Sequence, residues 1–325
     1  MKMKRRFVVG LVVGIGLIMG TSAVWSQAYP SRPIRLIVPY PPGGAVDPIA
    51  RTIAQKLSEA WGQPVVVDNK PGAGTIIGTE IVAKAAPDGY TVILATISHT
   101  MNPAMYGKLP YDPVKDFTPL SLVSLIPLML VVNPQVPVKS VKELIDLLKA
   151  KPGQLNFSSA GNGTSTHLAA ELFKALAGVD IVHVPYKGSG ASVAAVMAGE
   201  TQVAFDSVFL QIPQVKAGKL RALAVTGTKR TSLAPELPTV SEAGLPGYEV
   251  SAWVGLLAPA GTPPEVVQKW NREIARILQL PEVRERQISQ GNEPAGSTVE
   301  YFADFIKTEI NKWGEVVKQA GIKLD

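Results

Sequence analysis

Short apolar runs bounded by proline and glycine recur along this chain. Between them lie segments whose apolar residues return every three or four positions. The runs at 34–38 (I-R-L-I-V), 65–68, 91–95, 181–185, 203–205 and 221–226 have the length and composition of buried strands. Helical periodicity follows most of them. Ile49, Ala50, Ile53, Ala54, Leu57 and Trp61 share one face, and Leu168, Ala169, Leu172, Phe173 and Leu176 share another. Further helices are predicted over 76–83, 140–150, 189–197, 212–217, 263–278, 281–290 and 298–320. In the last of these Tyr301, Phe302, Phe305, Ile306, Ile310, Trp313 and Val317 face a core. The segment 101–117 is rich in proline and glycine and predicts irregular structure. Residues 118–132 are apolar and strand-like, and Pro127 divides them into two strands because it cannot donate to a ladder. Residues 248–258 read as one more strand.

Strands alternating with helices in two blocks predict an α/β protein of two domains, each with a mostly parallel sheet flanked by helices. The chain crosses between them near 125–127 and returns near 252–256. This divides it into 29–125 plus 253–325 as one domain and 126–252 as the other. In such sheets ligands bind beyond the carboxyl ends of the strands. Three glycine loops fall there, at Pro41-Pro42-Gly43-Gly44, Pro71-Gly72-Ala73-Gly74 and Ala160-Gly161-Asn162-Gly163.

The third loop opens directly into a helix through Thr164, Ser165, Thr166 and His167. Unpaired N–H groups of a first helical turn, with the positive end of the helix dipole behind them, suit an anion such as a carboxylate. Helix capping by Thr164 or Ser165 is the other reading of the same residues. Gly43-Gly44 allows close backbone approach. Asp47 before Pro48 reads as a carboxylate N-cap with proline at N1, the alternative being a ligand-binding carboxylate. Ser189 reads as a cap, and Thr262-Pro263-Pro264-Glu265 as a capping box.

No loop has the spacing of a nucleotide-phosphate motif, which excludes a phosphate cofactor; no cofactor of any kind is expected. His99, His167 and His183 lack metal-ligand spacing. His183 alternates within a strand and reads as structural. His167 lies in a first helical turn, where it either donates to a ligand or packs. Ser165 and Thr166 adjoin His167 in sequence, but helix neighbours at that spacing do not face each other. No nucleophile elbow is present, so the expectation is a protein without catalytic residues.

The 325 residues hold 32 basic and 26 acidic side chains. Lys2, Lys4, Arg5 and Arg6 precede an apolar run over 7–19, and Ser26-Gln27-Ala28 has small residues at positions −3 and −1. This is the pattern of a secretory signal peptide, 1–28, cleaved after Ala28. Without those four bases the count is 28 against 26, or +2. No basic patch for nucleic acid survives. The absence of cysteine excludes disulfides, thiolate metal sites and a lipid-modified cysteine anchor. A free, monomeric periplasmic protein is expected.

Several blocks match one known family. They include Pro42-Gly43-Gly44-x-x-Asp47, Asn69-Lys70-Pro71-Gly72-Ala73-Gly74, Pro87-Asp88-Gly89-Tyr90-Thr91 and Asp116-Phe117-Thr118-Pro119. The strongest are Gly161-x-Gly163-Thr164-Ser165-x-His167-Leu168, Val184-Pro185-Tyr186-Lys187-Gly188 and Leu237-Pro238-Thr239-Val240-x-Glu242-Ala243-Gly244. Over essentially the whole mature chain the sequence resembles the Bug/TctC-type extracytoplasmic solute receptors of tripartite tricarboxylate transporters. The resemblance implies a two-domain, type II-like Venus flytrap that closes on a small carboxylate. It implies a grip made mostly by backbone N–H groups, hydroxyls and water. It places Gly43, Gly44, Gly161, Thr164, Ser165 and His167 near a carboxylate, with Tyr40, Ser98, Tyr186, Lys187 and Asp206 shaping the remainder. Asp206 either receives a ligand amine or caps a turn. Val46 departs from the hydroxyl or amide frequent at its position. The implied partners are transporter subunits or, alternatively, a sensor ectodomain. A dicarboxylate, tricarboxylate, aromatic acid or acidic amino acid all fit as ligand.

Overall fold

The computed structural model describes residues 29–43 and 46–321; the expected signal peptide and Gly44 lie outside the described residues. In chain order the elements are β1 (Ile34–Val38), α1 (Asp47–Trp61), β2 (Val65–Asn69), α2 (Ile76–Ala83), β3 (Thr91–Thr96), α3 (Ser98–Met105) and β4 (Phe117–Val132). Then come α4 (Val141–Ala150), β5 (Asn156–Ser159), α5 (Ser165–Ala177), β6 (Val182–Pro185), α6 (Ser189–Ala198), β7 (Val203–Ser207), α7 (Val208–Lys216) and β8 (Arg221–Val225). The chain closes with β9 (Ser251–Pro259), α8 (Pro264–Leu278), α9 (Pro281–Ser289), the short β10 (Glu293–Pro294) and α10 (Val299–Ala320).

Two sheets share β4. In the first, the order is β2-β1-β3-β9-β4, with β1 parallel to β2 and β3, and β9 antiparallel to both neighbours. In the second, β4 pairs antiparallel with β7 and β8, and β5 lies parallel between β6 and β7. The change of partner falls at one residue. Pro127 is the last partner of β9, opposite Ser251, and Leu128 is the first partner of β7, opposite Ser207. Thr226 ties the two crossings together. Its hydroxyl accepts from Leu128 N–H at 2.7 Å and lies 2.6 Å from Val250 O as donor, and Val250 N–H donates to its carbonyl at 2.9 Å.

The mixed α/β fold agrees with the periodicity, and several local expectations need correction. Residues 117–132 form one continuous strand, because Pro127 sits where the ladder changes hands and its missing N–H breaks neither half. The irregular stretch contains α3, a helix holding Pro103 in its second turn. Burial of Met101, Asn102 and Met105 outweighs the proline, and Asn102 Nδ2 donates to Gly74 O at 2.8 Å. Asp47, Ser189 and Thr262 are not caps. Asp47 and Ser189 are the first residues of their helices, and the Thr262 hydroxyl donates back to Pro259 O. Leu176 and Tyr301, expected on the apolar faces of their helices, are exposed.

Helices cover both sheets. Ile49, Ile53 and Leu57 of α1 pack with Trp270 and Ile274 of α8 on one face of the first sheet. On its other face α3 and α10 join a core that continues without a break into the second sheet, reaching Phe157, Leu168, Phe173 and Tyr248. A smaller core lies under α6 and α7. Tyr29 is anchored by aromatic rings: its hydroxyl donates to Gly89 O at 2.6 Å and accepts from Trp270 Nε1 at 2.7 Å, and Trp61 and Tyr90 meet it edge-on. Among the described residues no helix is long and apolar enough to cross a membrane.

Candidate ligand-binding site

The loop between β5 and α5 is held almost wholly by its own chain. Thr164 is the N-cap: its hydroxyl accepts from His167 N–H at 3.4 Å and donates to Gly161 O at 2.7 Å. Thr166 Oγ1 accepts from Ala160 N–H at 2.8 Å, and Ser159 Oγ accepts from Gly161 N–H at 3.1 Å. Gly161 and Gly163 have φ of 132° and 69°, backbone that favours glycine. A Cβ at Gly161 would also lie 3.4 Å from Tyr186 O. The N–H groups of Asn162, Ser165 and Thr166 have no partner among the described residues; the last two lie in the first turn of the helix, with the Ser165 hydroxyl beside them. They open the thirteen-residue helix α5, so the helix dipole adds to them.

His167 is placed beneath this loop. It is 5% exposed, and its Nδ1 accepts from Gly163 N–H at 3.1 Å. Its Nε2 faces Glu171 at 3.7 Å, and Glu171 in turn pairs with Lys174. The ring stacks on His183 at 3.8 Å between centroids, and His183 stacks on Phe157. Burial pushes the His167 imidazole down to about 3, helped by His183 and Lys174; burial likewise holds His183 down at about 4. His167 is therefore a neutral acceptor for its own loop, in keeping with the packing role that the sequence left open beside donation to a ligand.

The first sheet carries a matching arrangement. Gly43 N–H donates to Asp47 Oδ2 at 3.1 Å, again four residues on. The same carboxylate accepts from Arg51 Nε at 2.8 Å and from Asn69 Nδ2 at 3.0 Å. The Arg51 hydrogen bond leads in holding the Asp47 carboxyl below its usual range, against its burial. Nearby, Tyr40 Oη lies 2.8 Å from Thr96 Oγ1 and 3.2 Å from Ser98 Oγ, and burial raises the phenol. Ser98 opens α3, so this hydroxyl group also adjoins a helix N-terminus.

The remaining expected residues divide. Asp206, near the end of β7, is 1% exposed. Its Oδ1 accepts from Ser207 N–H at 2.7 Å, and Oδ2 has no partner among the described residues. Burial pushes its carboxyl up to about 6, with Ser189 and the Ser207 N–H acting the other way. Tyr186 contributes backbone: its N–H donates to Ser159 O, while its hydroxyl reaches away to Glu200 at 3.1 Å. Lys187 is exposed and makes no ion pair among the described residues.

Two clusters result. One is Tyr40, Ser98 and Gly43; the other is Gly161, Thr164, Ser165, His167 and the Tyr186 backbone, with Asp206 near Ser189. No hydrogen bond joins the clusters among the described residues. Sequence reasoning missed Arg51 and Ser159; it named Thr166 only as part of the helix entry and Asn69 only as part of a family block. The four-residue step from a loop glycine to an acceptor was the signal available for Asp47 and His167, and nothing local pointed to Asn69. Among the described residues no cluster of three His, Cys, Asp or Glu stands ready for a metal. The arrangement offers neutral donors at helix N-termini; Ser159 Oγ lies 2.6 Å from His183 Nε2, but that hydroxyl is also bonded to the Gly161 backbone.

The sequence pattern of the tripartite tricarboxylate transporter family receptors, TctC, matches residues 49–322. The chain belongs to this family. Among solved structures, an adipate-bound protein of R. palustris is similar at 38% identity and a TM-score of 0.78, covering 91% of this chain and 100% of that one. The periplasmic binding protein BugD is similar at 33% identity and 0.74, covering 91% and 100%. MatC of Rhodopseudomonas palustris, with bound malate, is similar at 34% identity and 0.73, covering 89% and 100%. The chain is thus a solute-binding protein rather than an enzyme, of a family whose receptors are periplasmic.

Proposed function

We propose that this protein captures a small organic carboxylate between its two halves, 29–125 plus 253–325 and 126–252, and delivers it to a tripartite tricarboxylate-type transporter. The observation that carries this reading is the pair of unpartnered N–H groups at Ser165 and Thr166, beside the free Ser165 hydroxyl, at the N-terminus of α5. They form an anion seat without an ion pair. Tyr40, Thr96 and Ser98 supply hydroxyls from the other half, with Gly43 and Gly44 shaping the approach. Asp206 Oδ2 receives a donor on the ligand, and Tyr186 and Lys187 border the site. Adipate and malate in two neighbours support a carboxylate of this size.

The proposed motion is closure about Pro127 and Ser251, with Thr226 as the pin between the crossings. The mature chain is monomeric and begins at Tyr29 after signal-peptide cleavage, which N-terminal sequencing of the exported protein checks. The deciding experiment is a thermal-shift screen of carboxylates on protein unfolded, stripped and refolded. A specific ligand at a hundred times Kd adds about 2.7 kcal/mol of stability. Hits confined to sugars or cations would end the carboxylate reading. Amine-bearing acids outperforming their amine-free counterparts would support the role of Asp206, and identical X-ray scattering with and without a bound ligand would remove closure.

A further inference from the structure

We infer that His167 and His183 are positioning residues for the glycine loop: His167 as hydrogen-bond acceptor for Gly163 N–H, His183 as the stacked plate that holds it there and braces Gly161 through Ser159. The inference rests on the carboxylate reading only for its consequence in binding; the loop geometry stands without it.

Both imidazoles reach the same loop from below. Gly163 N–H to His167 Nδ1 is 3.1 Å, so Nδ1 carries a lone pair and the proton sits on Nε2, facing Glu171. His183 Nε2 is 2.6 Å from Ser159 Oγ. That hydroxyl has one proton to give. With it donated to Gly161 O at 3.2 Å, the oxygen accepts from Gly161 N–H at 3.1 Å and from His183 Nε2–H, which uses the hydroxyl proton and both lone pairs. Both rings are then neutral with the proton on Nε2. The stack, 3.8 Å apart with planes 9° from parallel, leaves neither ring free to turn.

The loop glycines explain why such support is needed. Gly161 and Gly163 adopt positive φ, and glycine is the residue with the most freedom to leave it. Tying Gly163 N–H to a rigid ring fixes the turn that leads into the unpartnered N–H groups of Ser165 and Thr166. A proton on His167 Nδ1 would place a donor against a donor and release the turn. The charged groups around His167 are His183 on β6, Glu171 and Lys174 on its own helix, and Asp180 acting on Glu171; β5 presents only Phe157 and Ser159. Glu171 is engaged by Lys174 at 3.0 Å, so it does not offset a second positive charge in the stack.

The test reads the loop directly, on the mature full-length chain. Histidine ¹⁵N spectra should show His167 with its proton on Nε2 at pH 7. Amide exchange should find Gly163 protected in the parent and in H167N, whose side-chain oxygen can replace Nδ1. In H167L that protection should fall at least tenfold, with α5 beyond its first turn unchanged. Acidification below about pH 3 should release Gly163 in the parent and spare it in H167N. A proton on Nδ1 at neutral pH, or Gly163 protection that is the same in H167L and the parent, overturns the inference. Equal loss in H167N and H167L also overturns it, because packing rather than the acceptor would then hold the loop. If H167L does not fold, the tautomer and H167N still decide. Adipate serves as the binding probe: affinity retained in H167N and reduced about tenfold in H167L is expected. Adipate that fails to bind the parent counts against the proposed function and leaves the amide result to judge the histidines.

Discussion

Gly43 gives its N–H to Asp47 in the first half of the molecule, and Gly163 gives its N–H to His167 in the second, across the same four residues. The first acceptor is a carboxylate shared with Arg51 and Asn69; the second is a buried neutral ring stacked on another. The shared geometry shows that the glycine N–H groups of these loops serve the chain itself. A ligand is left with the donors one turn further on. The difference lies in what unsettles each loop. Protonation of Asp47 cancels the charge that pairs with Arg51, whereas protonation of the imidazole creates a charge and turns an acceptor into a donor.

Breaking the first loop should have the largest effect. Asp47→Ala removes the acceptor of three donors from a buried position and should cost about 2–4 kcal/mol, seen as a lower urea midpoint. Asp47→Asn keeps an acceptor for Gly43 and should cost less than half as much. A loss in Asp47→Ala no larger than that of a surface substitution would mean that the first loop holds itself.

Acid sharpens the contrast. His99, His167 and His183 are held at about 4, 3 and 4, below their ordinary 6.5. The unfolded chain therefore takes up protons as pH drops through 6.5, while the fold does so only near 4 and below. Stability should fall across that window by up to about 1.4 kcal/mol per pH unit for each imidazole. Asp206 acts in the opposite sense: raised to about 6 from 3.8, it protonates first in the fold and recovers part of the loss between those values. The depressed Asp47 carboxyl contributes stability above its unfolded value of 3.8 and loses it as pH falls from there through its lowered folded value. Denaturation curves at pH 7 and pH 5 check the sign; a chain more stable at pH 5 would contradict it.

Smaller effects separate holding the loop from using it. Thr164→Ala removes the N-cap of α5 and should cost about 1 kcal/mol, read from the thermal midpoint. Ser165→Ala, which removes a hydroxyl without a partner among the described residues, should change stability by less than about 0.5 kcal/mol. The same change should weaken carboxylate binding roughly five- to tenfold, the worth of one net hydrogen bond, by calorimetry. Unchanged binding would move the anion seat away from Ser165.

Periodicity carried the layers well, since apolar faces such as Ile49–Ile53–Leu57 are the cause of the packing. It failed where a distant contact decides the local form. Pro103 reads as a breaker until Met101 and Met105 are seen buried against the rest of the core. Pro127 reads as a strand end, yet β4 runs on because a different neighbour takes over. Asp47 and Ser189 read as caps from composition, and only three dimensions show that Asp47 looks back at Gly43 and outward to Asn69. For the site, the glycines and hydroxyls before α5 were legible as a helix N-terminus. The direction of the His167 ring was not, because it is set by His183, sixteen residues away on another strand.

The aromatic side chains give the molecule an uneven optical character. Among the described residues tryptophan occurs at 61, 253, 270 and 313 and nowhere from 126 to 252. Trp61 and Trp270 lie 4.9 Å apart in the cluster that anchors Tyr29, and Trp253 and Trp313 are fully buried. Selective excitation of indole therefore reports on the first sheet and its helices, because α4 to α7 and β5 to β8 carry no tryptophan. A tryptophan introduced on one of those elements would give a local reporter to a segment that has none of its own.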